Sequence, residues 1–411
     1  MLKGFTTSWF VEEHSRQGGE ERGGIMRSIL RCSAILVLVI STNTSLAGDI
    51  PADALDRFPG TEWERKTPSE VGFDEKALQE LIPKVGTGGV IIRHGYLVAS
   101  WGNIRTAVQT ASMGKTFTGT TLGLAVDRGM VKLDDPVWKT WTGEGELSHP
   151  HKYLNFGHHR KVTWRHFANM MSGFPDIDLS RPDGEMGDRT YNFAQRPPGG
   201  EYVYSDGGMW RFTQALTKLW GMDLKQLLDE KILSHMDVPT DRWGWMPAQD
   251  LHDNLMYPFW PGYGRYLDPP WEVDGHTVRA GPGWVVISAD DAARFGYLYL
   301  RNGRWRDKQL ISREWVEQTR KPQSRKHAGH GGEDYSLNWW LPGQGVQEAR
   351  GANINWQGVS RISVIPEYDV VVATIRTNYV ARKVVGSDYF GSQYQGDRDW
   401  VFRVLKTIVD K

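Results

Sequence analysis

The sequence contains a single cysteine, Cys32, among its 411 residues. Because Cys32 lies in the first 47 residues, the chain that follows has no cysteine and cannot be stabilised by disulfides. Lysine plus arginine and aspartate plus glutamate balance at 49 each. Without an excess of positive charge, the composition gives no reason to expect a nucleic acid or another polyanion as a partner.

A long hydrophobic run is also missing near the amino terminus, where residues 34–40 are apolar but too few to cross a membrane. This run follows a basic segment that includes Arg27, and Ser45-Leu46-Ala47 then supplies a small-x-small cleavage site. The order is typical of a secretory signal peptide. We therefore predict a start at Met26, a leader over residues 1–47, and an exported mature chain, periplasmic or secreted, without an integral membrane span.

Two common hydrolase signatures are absent. No Gly-x-Ser-x-Gly occurs, which excludes the nucleophile elbow of α/β-hydrolases. No His-Glu-x-x-His occurs either, although five of the 12 histidines fall between residues 149 and 166. We interpret these five as surface loop histidines, and we predict no metal and no cofactor. They are His149, His151, His158, His159 and His166.

The stretch from Thr110 to Gly129 carries the main functional hypothesis. Read as a helix, it places Ser112 and Lys115 three residues apart, so that their side chains emerge on one face within hydrogen-bond reach. A serine hydroxyl is a weak nucleophile and needs an adjacent base. Lysine can be that base only when it is neutral, which requires desolvation or nearby positive charge. Since a Ser-x-x-Lys pattern also arises by chance, the assignment depends on the rest of the chain.

A second stretch, residues 197–208, reads Pro-Pro-Gly-Gly-Glu-Tyr-Val-Tyr-Ser-Asp-Gly-Gly. Together with the preceding Ser-x-x-Lys, it resembles the serine β-lactamase-like hydrolases. That superfamily includes class C β-lactamases, DD-peptidases, family VIII esterases and 6-aminohexanoate-oligomer hydrolases. The resemblance runs from about residue 70 to the end of the chain, with further similar stretches at 127–136, 170–174 and 288–296.

The resemblance implies roles for individual residues. Ser112 would be the acylated nucleophile, Lys115 its hydrogen-bonded partner, and Tyr204 the tyrosine that shares proton transfer with the lysine. The backbone N–H of Ser112 would form half of the oxyanion hole, and a late strand would supply the other half.

Asp206 occupies a substrate-binding position where the family has asparagine. An ionised carboxylate only accepts hydrogen bonds, and near Lys115 it would favour the protonated amine and leave Tyr204 as the base. In an alternative interpretation, Asp206 points away and caps the following helix through backbone N–H groups near Met209.

The late Lys-Thr-Gly or His-x-Gly strand motif of the family is absent. Our preferred substitute is the segment 355–359, in which Trp356 and Gly358 resemble the Trp-x-Gly of esterase-type members and would bind substrate. A register starting near Gly351 and the loop at His330-Gly331-Gly332 are the alternatives. Without a cation on this strand, a β-lactam carboxylate would be poorly bound, which favours ester or amide hydrolysis.

Strand-like runs lie towards both ends of the chain, with hairpins predicted over 89–102 and 360–377, and helical periodicity lies between them. This pattern predicts an α/β fold of the α+β type. An antiparallel sheet from both termini would be flanked by helices and carry a mostly helical inserted domain, as in β-lactamases and transpeptidases. The sheet domain would span 48–135 and 281–411, and the insertion 136–280. Predicted helices are 74–81, 163–173, 209–220, 223–233, 288–300, 312–319 and 401–409.

The sequence thus predicts an exported serine hydrolase that forms an acyl-enzyme on Ser112. An esterase or amidase with a small-molecule or short peptide substrate is favoured. One alternative is a DD-peptidase or β-lactamase. The other is a catalytically inactive, penicillin-binding-like protein, which the changed residue at Asp206 makes credible. The oligomeric state is left open.

Overall fold

The computed structural model describes residues 50–82, 88–141, 157–175, 194–252, 270–325, 332–352, 359–375 and 400–410. Its α-helices are α1 (Glu75–Leu81), α2 (Lys115–Asp127), α3 (Trp164–Ala168), α4 (Asp206–Trp220), α5 (Leu224–Lys231), α6 (Ala248–His252), α7 (Ala289–Leu300), α8 (Arg313–Thr319) and α9 (Trp400–Lys406). None of the helices in these ranges is long and apolar enough to span a membrane.

The strands are β1 (Gly88–Arg93), β2 (Tyr96–Gly102), β3 (Val108–Gln109), β4 (Gly244–Trp245), β5 (Glu272–Val273), β6 (His276–Thr277), β7 (Val285–Ile287), β8 (Arg304–Trp305), β9 (Lys308–Gln309), β10 (Ser324–Arg325), β11 (Asp334–Ser336), β12 (Trp339–Gly343), β13 (Val346–Ala352), β14 (Val359–Ile365) and β15 (Val370–Ile375). Eight of them form one sheet in the order β10-β11-β12-β13-β14-β15-β1-β2.

This sheet joins the early and late parts of the chain. All neighbouring strands are antiparallel, and β1 pairs with β15 so that Val90 lies opposite Ala373. The predicted α/β class, with an antiparallel sheet flanked by helices, is confirmed. The predicted division into a leader, a sheet domain and an insertion stays a prediction.

Both faces of the central strands are buried, because helices cover each face. Ile91 and Val372, which lie opposite each other, pack in one apolar cluster with α1 and α9. The residues on either side of them in the sequence face the other way and belong to the larger apolar cluster, where α7 lies. These residues are Val90, Ile92, Val371 and Ala373. A Cβ at Gly296 of α7 would come within 2.5 Å of the Ile362 side chain, so that glycine permits close contact between helix and sheet.

Several predicted helices begin at a residue whose side chain caps the helix. The side chains of Asp74, Ser288 and Ser312 each accept a hydrogen bond from a backbone N–H in the first turn, which satisfies a donor that the helix leaves unpaired.

The helix predicted over 163–173 is shorter than expected. It starts after Thr163 in a capping box but ends at Ala168. Asn169 then leaves the helix, because its side chain donates to the Arg165 carbonyl and accepts from the Leu337 N–H. Contacts with a distant hairpin therefore end this helix before Gly173.

Candidate active site

Ser112 lies in a 3-10 turn, Ala111–Gly114, which leads directly into α2. The turn is held against another part of the chain, because the Trp284 N–H donates to the Ala111 carbonyl at 3.0 Å. Ala111 has a positive φ of 50°, an uncommon conformation for a residue with a Cβ. Strain of this kind is often concentrated at functional sites.

Lys115 is the first residue of α2, and its side chain is 3% exposed. Its Nζ lies 3.0 Å from Ser112 Oγ, 2.7 Å from Asp206 Oδ1 and 2.5 Å from the Pro282 carbonyl oxygen. An ammonium group has three N–H donors and no acceptor. Three acceptors around one nitrogen are therefore the surroundings that a protonated lysine requires.

Asp206 reaches Lys115 because it does not cap α4. The N-cap is Ser205, whose Oγ accepts from the Gly208 N–H at 3.0 Å. Asp206 occupies the first helical position, with its carboxylate directed to Lys115. Tyr204 directly precedes Ser205 in the sequence, and the centre of the Tyr204 ring lies 4.5 Å from Lys115 Nζ. The structure thus brings four of the predicted residues together.

The third acceptor, Pro282, was missed by the sequence analysis. It belongs to the turn Gly281-Pro282-Gly283, which lies between α4 and the Ser112 turn. A Cβ at Gly281 would lie 1.5 Å from Thr213 Oγ1, and one at Gly283, whose φ is 158°, would lie 2.3 Å from the Ala111 oxygen. The two glycines are the signal that could have revealed this close approach.

The strand beside the Ser112 turn is β13. A Cβ at Gly351 would lie 1.7 Å from the Thr110 carbonyl oxygen and 2.9 Å from the Met113 nitrogen. Gly351 was one of the registers considered for the late strand motif. The preferred residues, Trp356 and Gly358, lie outside the described residues.

Gly351→Ala is expected to abolish most of the activity proposed below. The added methyl group would meet backbone atoms of the Ser112 turn at Thr110 and Met113, so β13 or that turn would have to move. Displacement of a nucleophile by about 1 Å can cost about 100-fold in rate. The measurement is kcat/KM for an ester, with Gly60→Ala as the control, because a Cβ there meets nothing within 4 Å. Equal activity of both variants would contradict the close packing.

Next to Gly351, β13 carries a buried ionic network. Glu348 is 0% exposed and accepts from Arg350 Nε and from Ser363 Oγ at 2.7 Å. Arg350 also donates to both oxygens of Glu333, at 2.8 and 2.9 Å. Burial alone would raise the pKa of the Glu348 carboxyl, but the guanidinium groups of Arg350 and Arg361 hold that pKa below its usual value.

Two of the five histidines that we predicted to lie in surface loops are instead part of the folded structure. His159 is buried, and its Nε2 accepts from the Ala194 N–H at 2.6 Å. Burial, followed by the nearby Arg211 charge, lowers the pKa of His159 to about 4. His166 forms part of the capping box of α3. Both contribute to local structure, and the described ranges contain no group of residues arranged to hold a metal ion. His149 and His151 lie outside those ranges.

One comparison with known proteins identifies a family. A family model described as β-lactamase matches residues 85–381. An uncharacterized protein of Alkalihalophilus pseudofirmus is 23% identical over 262 residues, which cover 59% of this chain and 67% of that protein.

Two solved structures illustrate the likeness of fold. One is the β-lactamase/D-alanine carboxypeptidase from Yersinia pestis in complex with citrate, with a TM-score of 0.53, 17% identity, and coverage of 82% of this chain and 96% of that one. The other is a family VIII carboxylesterase, with a TM-score of 0.53, 14% identity, and coverage of 81% and 95%. At these identities, the likeness concerns the fold alone.

Proposed function

The chain belongs to the β-lactamase family, as its motifs predicted, and on that premise we propose that it hydrolyses an ester or amide bond through an acyl-enzyme on Ser112. The observation that carries the proposal is the contact of 3.0 Å between Ser112 Oγ and Lys115 Nζ, beside Tyr204. A nucleophile held next to a cation, with a tyrosine that can act as its base beside both, is an arrangement that nucleophilic catalysis can use.

In the proposed reaction, Ser112 Oγ attacks the substrate carbonyl carbon and forms the acyl bond. Lys115 donates all three of its protons to acceptors, so it stabilises developing negative charge but does not take the serine proton. We assign that proton to Tyr204 as phenolate. The resulting phenol protonates the leaving group, and water then hydrolyses the acyl-enzyme by the reverse proton path.

A neighbouring tyrosine is a poor substitute as base. Burial raises the pKa of the Tyr335 phenol, and this effect outweighs the hydrogen bond with Asn338, which lowers it. Tyr335 therefore remains a neutral phenol.

At the Gly351 register, β13 offers no available cation for a substrate carboxylate, which favours an ester over a β-lactam or a D-alanyl peptide. If Gly351 occupies the glycine position of the family's Lys-Thr-Gly, Ala349 occupies the lysine position and offers no cation for a substrate carboxylate. The adjacent Arg350 is engaged by Glu348 and Glu333. A neutral acyl group, as in an uncharged ester or amide, therefore suits this site better.

Covalent labelling combined with a substrate panel tests the proposal. A fluorophosphonate is expected to modify Ser112, located by peptide mass mapping. Short p-nitrophenyl esters are expected to turn over faster than nitrocefin or D-amino-acid amides. An absence of label on Ser112 would favour a binding protein without turnover, and slow-release labelling by penicillin would favour a DD-peptidase.

Asp206→Asn is expected to shift the acid limb of the kcat/KM profile to lower pH. The wild-type carboxylate offsets the positive charge of Lys115, so the tyrosine gains less support as phenolate and activity rises towards alkaline pH. Removing the charge of the Asp206 carboxylate, which is paired with Lys115, should move the acid limb of the kcat/KM profile by about one pH unit, or about 1.4 kcal/mol.

The matched control is Asp229→Asn, because Lys225 and Asp229 form a pair of the same length, 2.7 Å, outside the site, and the two carboxylates are equally exposed, at 16%. Its pH profile should superimpose on that of the wild type. If the Asp206→Asn profile also superimposes, the electrostatic role of Asp206 is wrong.

We further propose that the chain is exported and cleaved after Ala47. Support comes from the basic segment, the short apolar run and Ser45-Leu46-Ala47. Sequencing of the exported protein should give Gly48 as its first residue, whereas an intact Met26 on that protein would contradict cleavage.

A further inference from the structure

Tyr204 lies in a segment that contains neither helix nor strand, just before α4. The hydrogen bonds of a helix or strand therefore do not fix its side-chain direction. Its ring is instead stacked on Trp340 of β12, with ring centres 6.2 Å apart and planes at 21°. Such offset stacks stabilise aromatic pairs beyond their buried area and restrict ring orientation.

Trp340 is itself fixed from other directions. Its ring meets Tyr335 of β11 edge to face, with ring centres 4.9 Å apart, and the two residues lie opposite each other in the sheet register. The guanidinium carbon of Arg350 lies 5.6 Å from the centre of the Trp340 ring. Since Glu333 and Glu348 hold Arg350, the indole is connected to the buried ionic network of β13.

These contacts form a continuous stack from Lys115 through Tyr204 and Trp340 to Arg350. We propose that Trp340 is a positioning residue, which holds the Tyr204 ring over Lys115 so that the phenol oxygen can exchange a proton with Ser112. The inference rests on the proposed function, because it assigns Trp340 a role in the same reaction. Trp340 acts through Tyr204 and has no part in bond making or breaking.

The test compares Trp340→Leu, which removes the ring, with Trp340→Phe, which retains an aromatic surface. Loss of the stack should lower kcat about 10-fold or more, since small displacements of a proton-transfer group have large effects on rate. KM for a p-nitrophenyl ester should change less than about threefold, and the acid limb of the pH profile should move, because the Tyr204 environment changes. Trp340→Phe should recover most of kcat.

Trp138→Leu is the matched control, because Trp138 is also a partly buried tryptophan under an arginine, with Arg160 5.2 Å from its ring centre. Both leucine variants should lose similar amounts of Tm, but only Trp340→Leu should lose kcat. If Trp340→Leu does not fold, Trp340→Met replaces it, since the unbranched, flexible methionine side chain can adapt to an irregular space without supplying a ring.

The outcomes separate this inference from the proposed function. If Ser112 of the wild type takes up fluorophosphonate and the Trp340 variant keeps wild-type kcat and pH profile, positioning by Trp340 is overturned while the acyl-enzyme stands. A rise in KM alone also overturns it, because that result assigns Trp340 to substrate contact. If fluorophosphonate does not label Ser112 of the wild type, the result contradicts the proposed function itself.

Discussion

Ser112→Ala is expected to abolish ester turnover and fluorophosphonate labelling while the protein still folds. In the proposed reaction, the Ser112 hydroxyl forms the acyl bond, and the proton-transfer groups serve to activate this hydroxyl. Loss of a nucleophile that acts as a unit with its base typically lowers kcat by about 10⁴-fold or more.

Folding should be little affected, because Lys115 keeps two of its three acceptors, Asp206 and Pro282. The free energy of unfolding should fall by less than about 3 kcal/mol, the upper end of the usual net contribution of one hydrogen bond to a charged group. Ser100→Ala is the control, because Ser100 is a serine on β2 that pairs with β1 away from the Ser112 turn. Near wild-type turnover by Ser112→Ala would refute the acyl-enzyme on this residue.

Arg350→Met is expected to give a large loss of stability. It would leave Glu348, which is 0% exposed, with Ser363 and a more distant Arg361 at 3.8 Å as its partners. Removing one partner of a buried ion pair typically costs about 3–5 kcal/mol. The measurement is denaturant unfolding at pH 7.

Arg196→Met is the matched control, because Arg196 forms an exposed pair with Glu201 and should contribute less than about 1 kcal/mol. Glu348→Gln added to Arg350→Met should restore part of the loss, since the uncompensated charge is then removed. A loss no larger than that of the control would contradict the buried network.

The pH dependence of this loss has a definite sign. The pKa of Glu348 in the folded protein lies below its ordinary value of 4.5, so its contribution to stability is present above that pH and is lost as the pH falls. The deficit of Arg350→Met should therefore be largest near neutral pH. It should narrow as the pH falls and Glu348 is protonated.

Several strands of the main sheet could not be predicted from local pattern. In β13, the charged residues Glu348 and Arg350 alternate with Ala349 and Gly351, and a periodicity analysis would place such charges in solvent, whereas here they are largely buried. Its charges are buried because they pair with each other and with Glu333, a relation that a periodicity analysis does not include. The hairpin of β1 and β2, by contrast, was predicted because its apolar runs flank the His94-Gly95 turn.

The sequence by itself determined the features that depend on near neighbours. These are the hairpins, the helix caps, and the pair Ser112 and Lys115, which one turn of the chain brings together. The β-lactamase family also followed from the order of such short motifs. Tertiary structure decided what surrounds Lys115, because Asp206 is 91 residues away and Pro282 is 167 residues away. It also decided that Gly351 lies against the Ser112 turn and that Trp340 stacks on Tyr204, since only packing of distant segments brings these groups into contact.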